Sequence, residues 1–400
     1  MKRLFTLTVV LSLTTLTAVS ASAGFSSLYV FGDALSATTD AKAPGGPYFY
    51  GQRWSNGRVW VEVLAQRQGL NFDNTKNDSY WDHNSSNLVN EIKGFAAPAD
   101  VTNDLAIVWV CNADTFDSAS TLLWNPNFQF SNANILSQAN HLQIITSLYA
   151  KGFRNLVLPN AVDISEIPAF NSGGITGLLH AGCVDYNARF AATISQARAL
   201  CPGLTIYTPD FYTLLNNVLT NSAYYGLTNA LSPYGFSIDA YSDPSIANLT
   251  LNGQGTNYIF WDQQDPTAQF HEIIADIAEQ LISPTTIGKL STLNSTNQLN
   301  VTLNVANLPL GLNGFVDATT NLAQVGGWTA VTNFNSSNSM QPIYVVAPPL
   351  PVSSGGSGGG GGGGGSIDPT NPGTNTVAGP PLNVTAQFYR LRFPFAWNWP

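Results

Sequence analysis

Between residues 27 and 281, short apolar runs alternate with segments whose apolar residues recur at helical spacing, and no other feature of the chain constrains its fold as much. The runs are "SLYVF" (27–31), "LAIVWV" (105–110), "NLVL" (155–158), "LTIY" (204–207) and "YIF" (258–260). Helical patterns lie near 57–68, 135–152, 177–200 and 267–281. Strand and helix taking turns in this way predicts an α/β domain, a parallel sheet with helices on both faces. In the last helix Phe270, Ile273, Ile274, Ile277 and Leu281 form one stripe, which is expected to face the core.

Beyond about residue 283 the texture changes to "NQLNVTLNVANLPLGLNGFVDATTNLAQVGGWTAVTNF" (297–334), alternating and turn-rich with no helical period. This predicts a small all-β domain over 284–400. A glycine run at 358–365 sits in a Ser/Gly/Pro stretch too flexible to fold alone. Because "LNVTAQFYRLRF" (382–393) reads as a further strand, 353–366 is expected to be a long loop inside the β domain. A linker to a short separate tail is the other reading.

Residues 1–23 have a basic start (Lys2, Arg3), a largely apolar run over 4–19 and Ala21-Ser22-Ala23 as a small-residue cleavage site, the layout of a secretory signal peptide. The mature chain is then expected to begin near Gly24 and to be secreted, with 24–283 as the α/β domain. No later stretch reaches the ~18 uninterrupted apolar residues of a membrane span. The 24 Asp and Glu outnumber the 15 Lys and Arg for a formal net charge of −9, which disfavours nucleic acid and anionic membranes as partners. Three cysteines, Cys111, Cys183 and Cys201, are too few for a disulfide framework. If 184–200 is one helix, its rise of ~1.5 Å per residue holds Cys183 and Cys201 about 27 Å apart, against the ~7 Å a disulfide spans, so those two are expected to stay unpaired.

The stretch "YVFGDALSATTD" (29–40) runs an apolar strand into Gly32-Asp33, the kind of strand-to-turn corner where hydrolases expose a nucleophile. The next residue is Ala34, which has no nucleophile to expose. Further blocks are "GPYFYGQRWSNGRVWVEVLA" (46–65), "LAIVWVCNADTF" (105–116), "NLVLPNAVDISEIPAF" (155–170) and "YIFWDQQDPTAQFHEIIADIA" (258–278). In order and approximate spacing the set resembles the GDSL, or SGNH, family of secreted esterases and lipases over roughly 27–281. The resemblance implies a three-layer α/β/α fold and carboxylic-ester hydrolysis. That chemistry needs a serine nucleophile, a histidine base, an aspartate to orient it and donors for the oxyanion.

Carried over residue by residue, the nucleophile position is Ala34, the base position Asp265 and the orienting acid Asp262. The oxyanion asparagine aligns with Ala113, and Asn112 replaces it only if the register slips by one. The second-block glycine falls within "NDSYWDHNSS" (77–86), at Trp81 or Asp82. All four residues that name the family are therefore replaced, which predicts an exported family relative without ester hydrolysis. Its old cleft is expected to hold a small ester, lipid or glycan, with no cofactor and no metal. An active carboxylic-ester hydrolase with a rearranged site and a structural or adhesive surface protein are the alternatives.

Among residues that might rebuild the site, Ser36 matches a family serine without nucleophilic duty and His271 a structural histidine of the last helix. His83 is expected to be a solvated loop residue, and His141 and His180 ordinary helix residues. Trp54, Trp60 and Trp261 are expected to pack, and Asp33, Asp262 and Asp265 to form a solvated acidic rim at the strand ends. The segments "GFVDATTNLAQVGGWTAVTNF" and "AQFYRLRFPFAWNWP" resemble a small β-module appended to many exported bacterial proteins, which implies a cap, a spacer or a surface or glycan attachment module.

Overall fold

The structure, a computed structural model, describes residues 24–293, 299–319, 322, 327–346, 388–393 and 398–399. The expected signal peptide (1–23) and the glycine segment (353–366) lie outside the described residues. Five strands, β1 (Leu28–Gly32), β2 (Asn77–Ser79), β3 (Leu105–Trp109), β4 (Asn155–Val157) and β5 (Thr205–Tyr207), form one sheet in the order β2-β1-β3-β4-β5. Every pairing in it is parallel. Seven helices accompany it: α1 (Trp60–Arg67), α2 (Ser85–Gly94), α3 (Cys111–Trp124), α4 (Phe130–Ala150), α5 (Thr176–Leu200), α6 (Phe211–Thr220) and α7 (Ala268–Ile282). One helical layer pairs α1 with α7, and the other packs α4 against α2, α3 and α5. Covered on both faces, β1 and β3 are buried along their whole length, which is why they read as unbroken apolar runs.

Two expectations are corrected. The run at 258–260 is not a strand of the sheet; only isolated bridges, Thr228 to Tyr258 and Phe260 to Pro266, form there. The fifth strand is instead β2, three polar residues at the sheet edge in register with Val30 to Gly32. An edge strand this short is held by one partner's backbone and needs no apolar run. On α7, Phe270, Ile273 and Ile274 are buried as expected, but Leu281 is 43% exposed and Ile282 is buried instead. The last turns of α7 face α1, where Arg67 Nε meets Asp276 Oδ1 at 2.7 Å and Gln68 donates to Glu279. Those polar partners rotate the buried side away from the apolar stripe.

Helix α5 runs unbroken to Leu200, and Cys111, Cys183 and Cys201 are all free and buried. Among the described residues no helix is long and apolar enough to cross a membrane.

A separate antiparallel β region follows, with strands β6 (Thr286–Leu293), β7 (Leu299–Ala306), β8 (Asn313–Thr319), β9 (Thr329–Asn335), β10 (Met340–Val346), β11 (Phe388–Arg392) and β12 (Asn398–Trp399). They form two sheets, β10-β7-β6 and β12-β11-β8-β9. Alternate residues such as Val301, Leu303, Val305, Ile343 and Val345 fill its own core. Strand β11 returns the chain to β8, and its Arg390 and Arg392 both reach the buried Asp317. The β region touches the α/β domain at α1, where Leu310 and Arg67 exchange backbone and side-chain hydrogen bonds.

Candidate active-site cleft

The strand order places a topological switch at β1 and β3: the chain leaves β1 toward β2 on one side, then crosses to β3 on the other. A crevice opens beyond the carboxyl ends of such strands, and the residues arriving there are Asp33-Ala34 after β1 and Cys111 to Ala113 after β3. The corner after β1 is tight. A Cβ on Gly32 would stand 2.6 Å from Ser36 Cβ and 2.9 Å from Ser79 Oγ, so only glycine fits. Asp33 then extends the ladder by donating its N–H to Trp109 O (3.1 Å), and its Oδ1 accepts from Leu35 N (3.1 Å) to cap one 3-10 turn, Ala34–Ser36.

A cavity of about 170 Å³ lies at this corner and brings together Ala34, Asn112, Ala113 and Asp265 with Asp33. Asp262 lines the adjoining groove, which shares Trp81, Gln264 and Asp265 with the first. Asp262 Oδ1 accepts from the backbone N–H of Gln264 (2.9 Å) and of Asp265 (2.8 Å), so the aspartate carried over as orienting acid caps a turn. Asn112 Oδ1 accepts from Val162 N (3.0 Å), while its Nδ2 is buried without a hydrogen-bond partner. At the second-block position Asp82 has φ 69°, the left-handed backbone that glycine adopts freely. Of the two candidates, Asp82 and not Trp81 keeps the glycine-like conformation.

Of the expected acidic rim, Asp262 is half-buried, but Asp33 and Asp265 are not solvated. Asp33 is 4% and Asp265 1% exposed, and Oδ2 of each has no partner. Burial pushes the Asp33 carboxyl up to about 7 despite the N–H groups of Leu35 and Ala113 and the nearby Asn112 amide; the Asp114 charge adds to the rise. Burial raises Asp262 to about 6. Asp265 is held well above the usual carboxylate range, first by burial and then by the charges of Asp262 and Asp33. The enclosure comes from distant loops: Phe49, Ala240 and Trp261 form a satellite apolar cluster, and Phe49 and Tyr241 line the groove beside Asp262 and Asp265.

No histidine lines either cavity. His83 is fully buried and not the solvated loop residue expected. Its Nδ1 lies 2.9 Å from Gly32 O, its ring stacks on Tyr80, and Nε2 comes within 2.8 Å of Glu91 Oε2. The loop that carries it threads beneath the β1 corner, which a local reading of polar residues does not reveal. His141 lies on α4, as expected. It is buried, and its Nε2 lies 2.9 Å from Tyr186 Oη, which donates to Asp114 Oδ2 at 2.7 Å. His180 keeps an exposed ring but pairs with Asp163 at 2.6 Å. His271 is structural: buried, pushed down to about 3 by burial, and accepting from Trp60 N through Nδ1. Ser36 Oγ accepts from Trp60 Nε1 (3.0 Å) beneath the cavity.

Trp60 and Trp261 are buried packing residues, as expected. Trp54 packs on Trp81 at the groove, ring centroids 4.5 Å apart and planes tilted by 35°. Asp40 Oδ2 clamps both, accepting from Trp54 Nε1 (2.9 Å) and Trp81 N (2.8 Å). Sequence reasoning missed Asp40, Phe116 and Asp117. For the last two the signal was present: Ala113, Phe116, Asp117 and Ser120 follow the i, i+3, i+4, i+7 spacing of one helix face, and all four line the cavity. Burial raises Asp117 to about 6, against the pull of the Asn84 amide. Among the described residues no group of three His, Cys, Asp or Glu is arranged to hold a metal ion.

No curated protein sequence matches the chain. Among solved structures it is similar to an α/β hydrolase from the metagenome of Lake Arreo, Spain, at 12% identity over 66% of this chain and 97% of that one, TM-score 0.38. It is also similar to an acetylxylan esterase of Geobacillus stearothermophilus (13% identity, 66% and 95% covered, TM-score 0.38). A gut microbial diltiazem-metabolizing enzyme is similar at 9% identity (77% and 60% covered, TM-score 0.39). The pattern of the family described as GDSL-like lipase/acylhydrolase matches residues 28–278. The motif blocks, the parallel sheet and the crevice after β1 and β3 all fall inside that match, and the chain belongs to the GDSL-like lipase/acylhydrolase family.

Proposed function

We propose that this is an exported, hydrolytically silent member of its family, whose cleft binds a small ligand and does not cleave it. The observation that carries the reading is Ala34 at the cavity corner, with Asp265 in the same lining and no imidazole there. Alanine forms no acyl-enzyme, and a buried acid that holds its proton is a poor base at neutral pH. The side chains nearest to a rescue have other duties: Ser36 serves Trp60, and His83 and His141 are locked in buried contacts.

The unmodified protein is expected to show no turnover of short-chain aryl esters and no labelling by a fluorophosphonate. Ala34→Ser alone should change little, because triad members act as a unit. Ala34→Ser with Asp265→His is expected to give weak but measurable hydrolysis, limited by Ala113. Turnover by the unmodified protein that disappears on Ser36→Ala or His83→Ala would overturn the reading. A second reading, a hydrolase with a rearranged site, draws on the unpartnered oxygens of Asp33 and Asp265 as acid and base toward water. It requires ester turnover that Asp33→Asn abolishes.

A further inference from the structure

The two cavities carry five carboxyl groups, Asp33, Asp82, Asp117, Asp262 and Asp265, and not one Lys, Arg or His. Asp33 and Asp265 are the informative pair. Each is more than nine-tenths buried, each lines the inner cavity, and each has an Oδ2 that accepts from no N–H of the described residues, with the Asn112 amide beside Asp33 and the Asp262 carboxyl beside Asp265. Buried polar atoms are almost always paired, and buried charges need an opposite charge. The remaining walls include Trp81, Phe116 and Phe170, whose ring faces attract cations. Burial holds protons on this pair, and a cation, unlike a neutral ester or sugar, favours their release.

We propose that the cleft is a receptor for a small organic ammonium ion, its N–H groups donating to the carboxyl groups of Asp33 and Asp265 and its hydrocarbon part lying against Trp81, Phe116 and Phe170. The inference deepens, and rests on, the reading of the cleft as a non-cleaving binding site. The cavity of about 170 Å³ suits a single ring or short chain. The titratable groups acting on the pair are Asp114 on Asp33, and Asp262 and Asp40 on Asp265, with the neutral thiol of Cys111 close by. All are acids, so a bound cation favours ionisation throughout, and binding near neutral pH releases protons.

The test uses benzylamine and its neutral counterpart benzyl alcohol, titrated calorimetrically into the whole mature protein at neutral pH in two buffers of different ionisation enthalpy. Benzylamine is expected to bind at least about tenfold more tightly than the alcohol, as charge-assisted hydrogen bonds require, and to release protons. Asp33→Asn and Asp265→Asn should each weaken amine binding about tenfold or more, with thermal melts showing both variants folded. Equal or tighter binding of the alcohol by the unmodified protein, no saturable amine binding, or unchanged affinity in both folded variants would overturn the proposal. Fluorophosphonate labelling of the same preparation separates the two readings. A labelled protein that still prefers the amine overturns the non-cleaving reading alone, and an unlabelled one without the preference overturns this inference alone.

Discussion

At the scale of single residues the consequence of Asp33 is a stability that runs against pH. An unfolded chain releases this proton near 3.8 and the folded chain near 7, so between those values the folded state holds more protons and loses stability as pH rises. That difference corresponds to something on the order of 4 kcal/mol. Asp262, raised to about 6, and Glu279, raised to about 8, act in the same direction. The melting temperature is therefore expected to fall between pH 5 and pH 7.5, and Asp33→Asn to flatten part of that fall. Melts recorded across this range check it; a melting temperature that is level or rises would contradict the buried, unpaired state of the acid. The identity of Ala34 was legible from the chain because motif spacing is local. The burial of Asp33 and Asp265 was not, since it depends on loops around Phe49 and Tyr241 that lie far away in sequence.

Among elements, the contact of α1 with α7 rests on a buried ion pair, Arg67 with Asp276, both less than a twentieth exposed. Burial lifts Asp276 to about 6 even with the guanidinium beside it, so the pair is held at a desolvation cost. Arg67→Ala is expected to cost about 3–5 kcal/mol, because it leaves the carboxylate uncompensated, whereas Arg67→Met with Asp276→Leu should recover most of that loss. Urea denaturation of the three proteins measures the difference. A single substitution costing less than about 1 kcal/mol, the ordinary value of an exposed pair, would show that the pair is not buried. The same contact explains why the apolar stripe of α7 did not foretell its last turn. Helical spacing locates an apolar face, but Asp276 and Glu279 are buried because α1 supplies Arg67 and Gln68, which only packing brings near. For β1 and β3 the apolar runs sufficed, because strands covered on both faces need such runs. For β2 nothing in "NDS" announces a strand.

On the scale of the whole molecule, the β region seats Leu310 against Arg67 on α1, and α7 leads directly into it, so the two units share an edge at α1. Export is the proposal that belongs to this scale. If the first 23 residues act as a signal peptide, the protein recovered outside the producing cell should begin at or within a residue or two of Gly24. N-terminal sequencing tests this directly, and secreted protein that retains Met1 or Lys2 would contradict it.

The amino-acid sequence alone was enough for the features that depend on neighbours along the chain. These are the alternation of strand and helix that predicts a parallel sheet, the unbroken α5 that keeps Cys183 from Cys201, and the motif blocks that put alanine where a nucleophile would stand. Each follows from backbone periodicity or from spacing within one segment. Tertiary structure alone decided which polar residues lost their water: Asp33, Asp265, His83 and His141 are buried by segments distant in sequence, and β2 pairs by hydrogen bonds that any side chains allow. Desolvation depends on the whole packed volume around a group, and that volume is assembled only when the loops, helices and sheet edge close over the corner after β1.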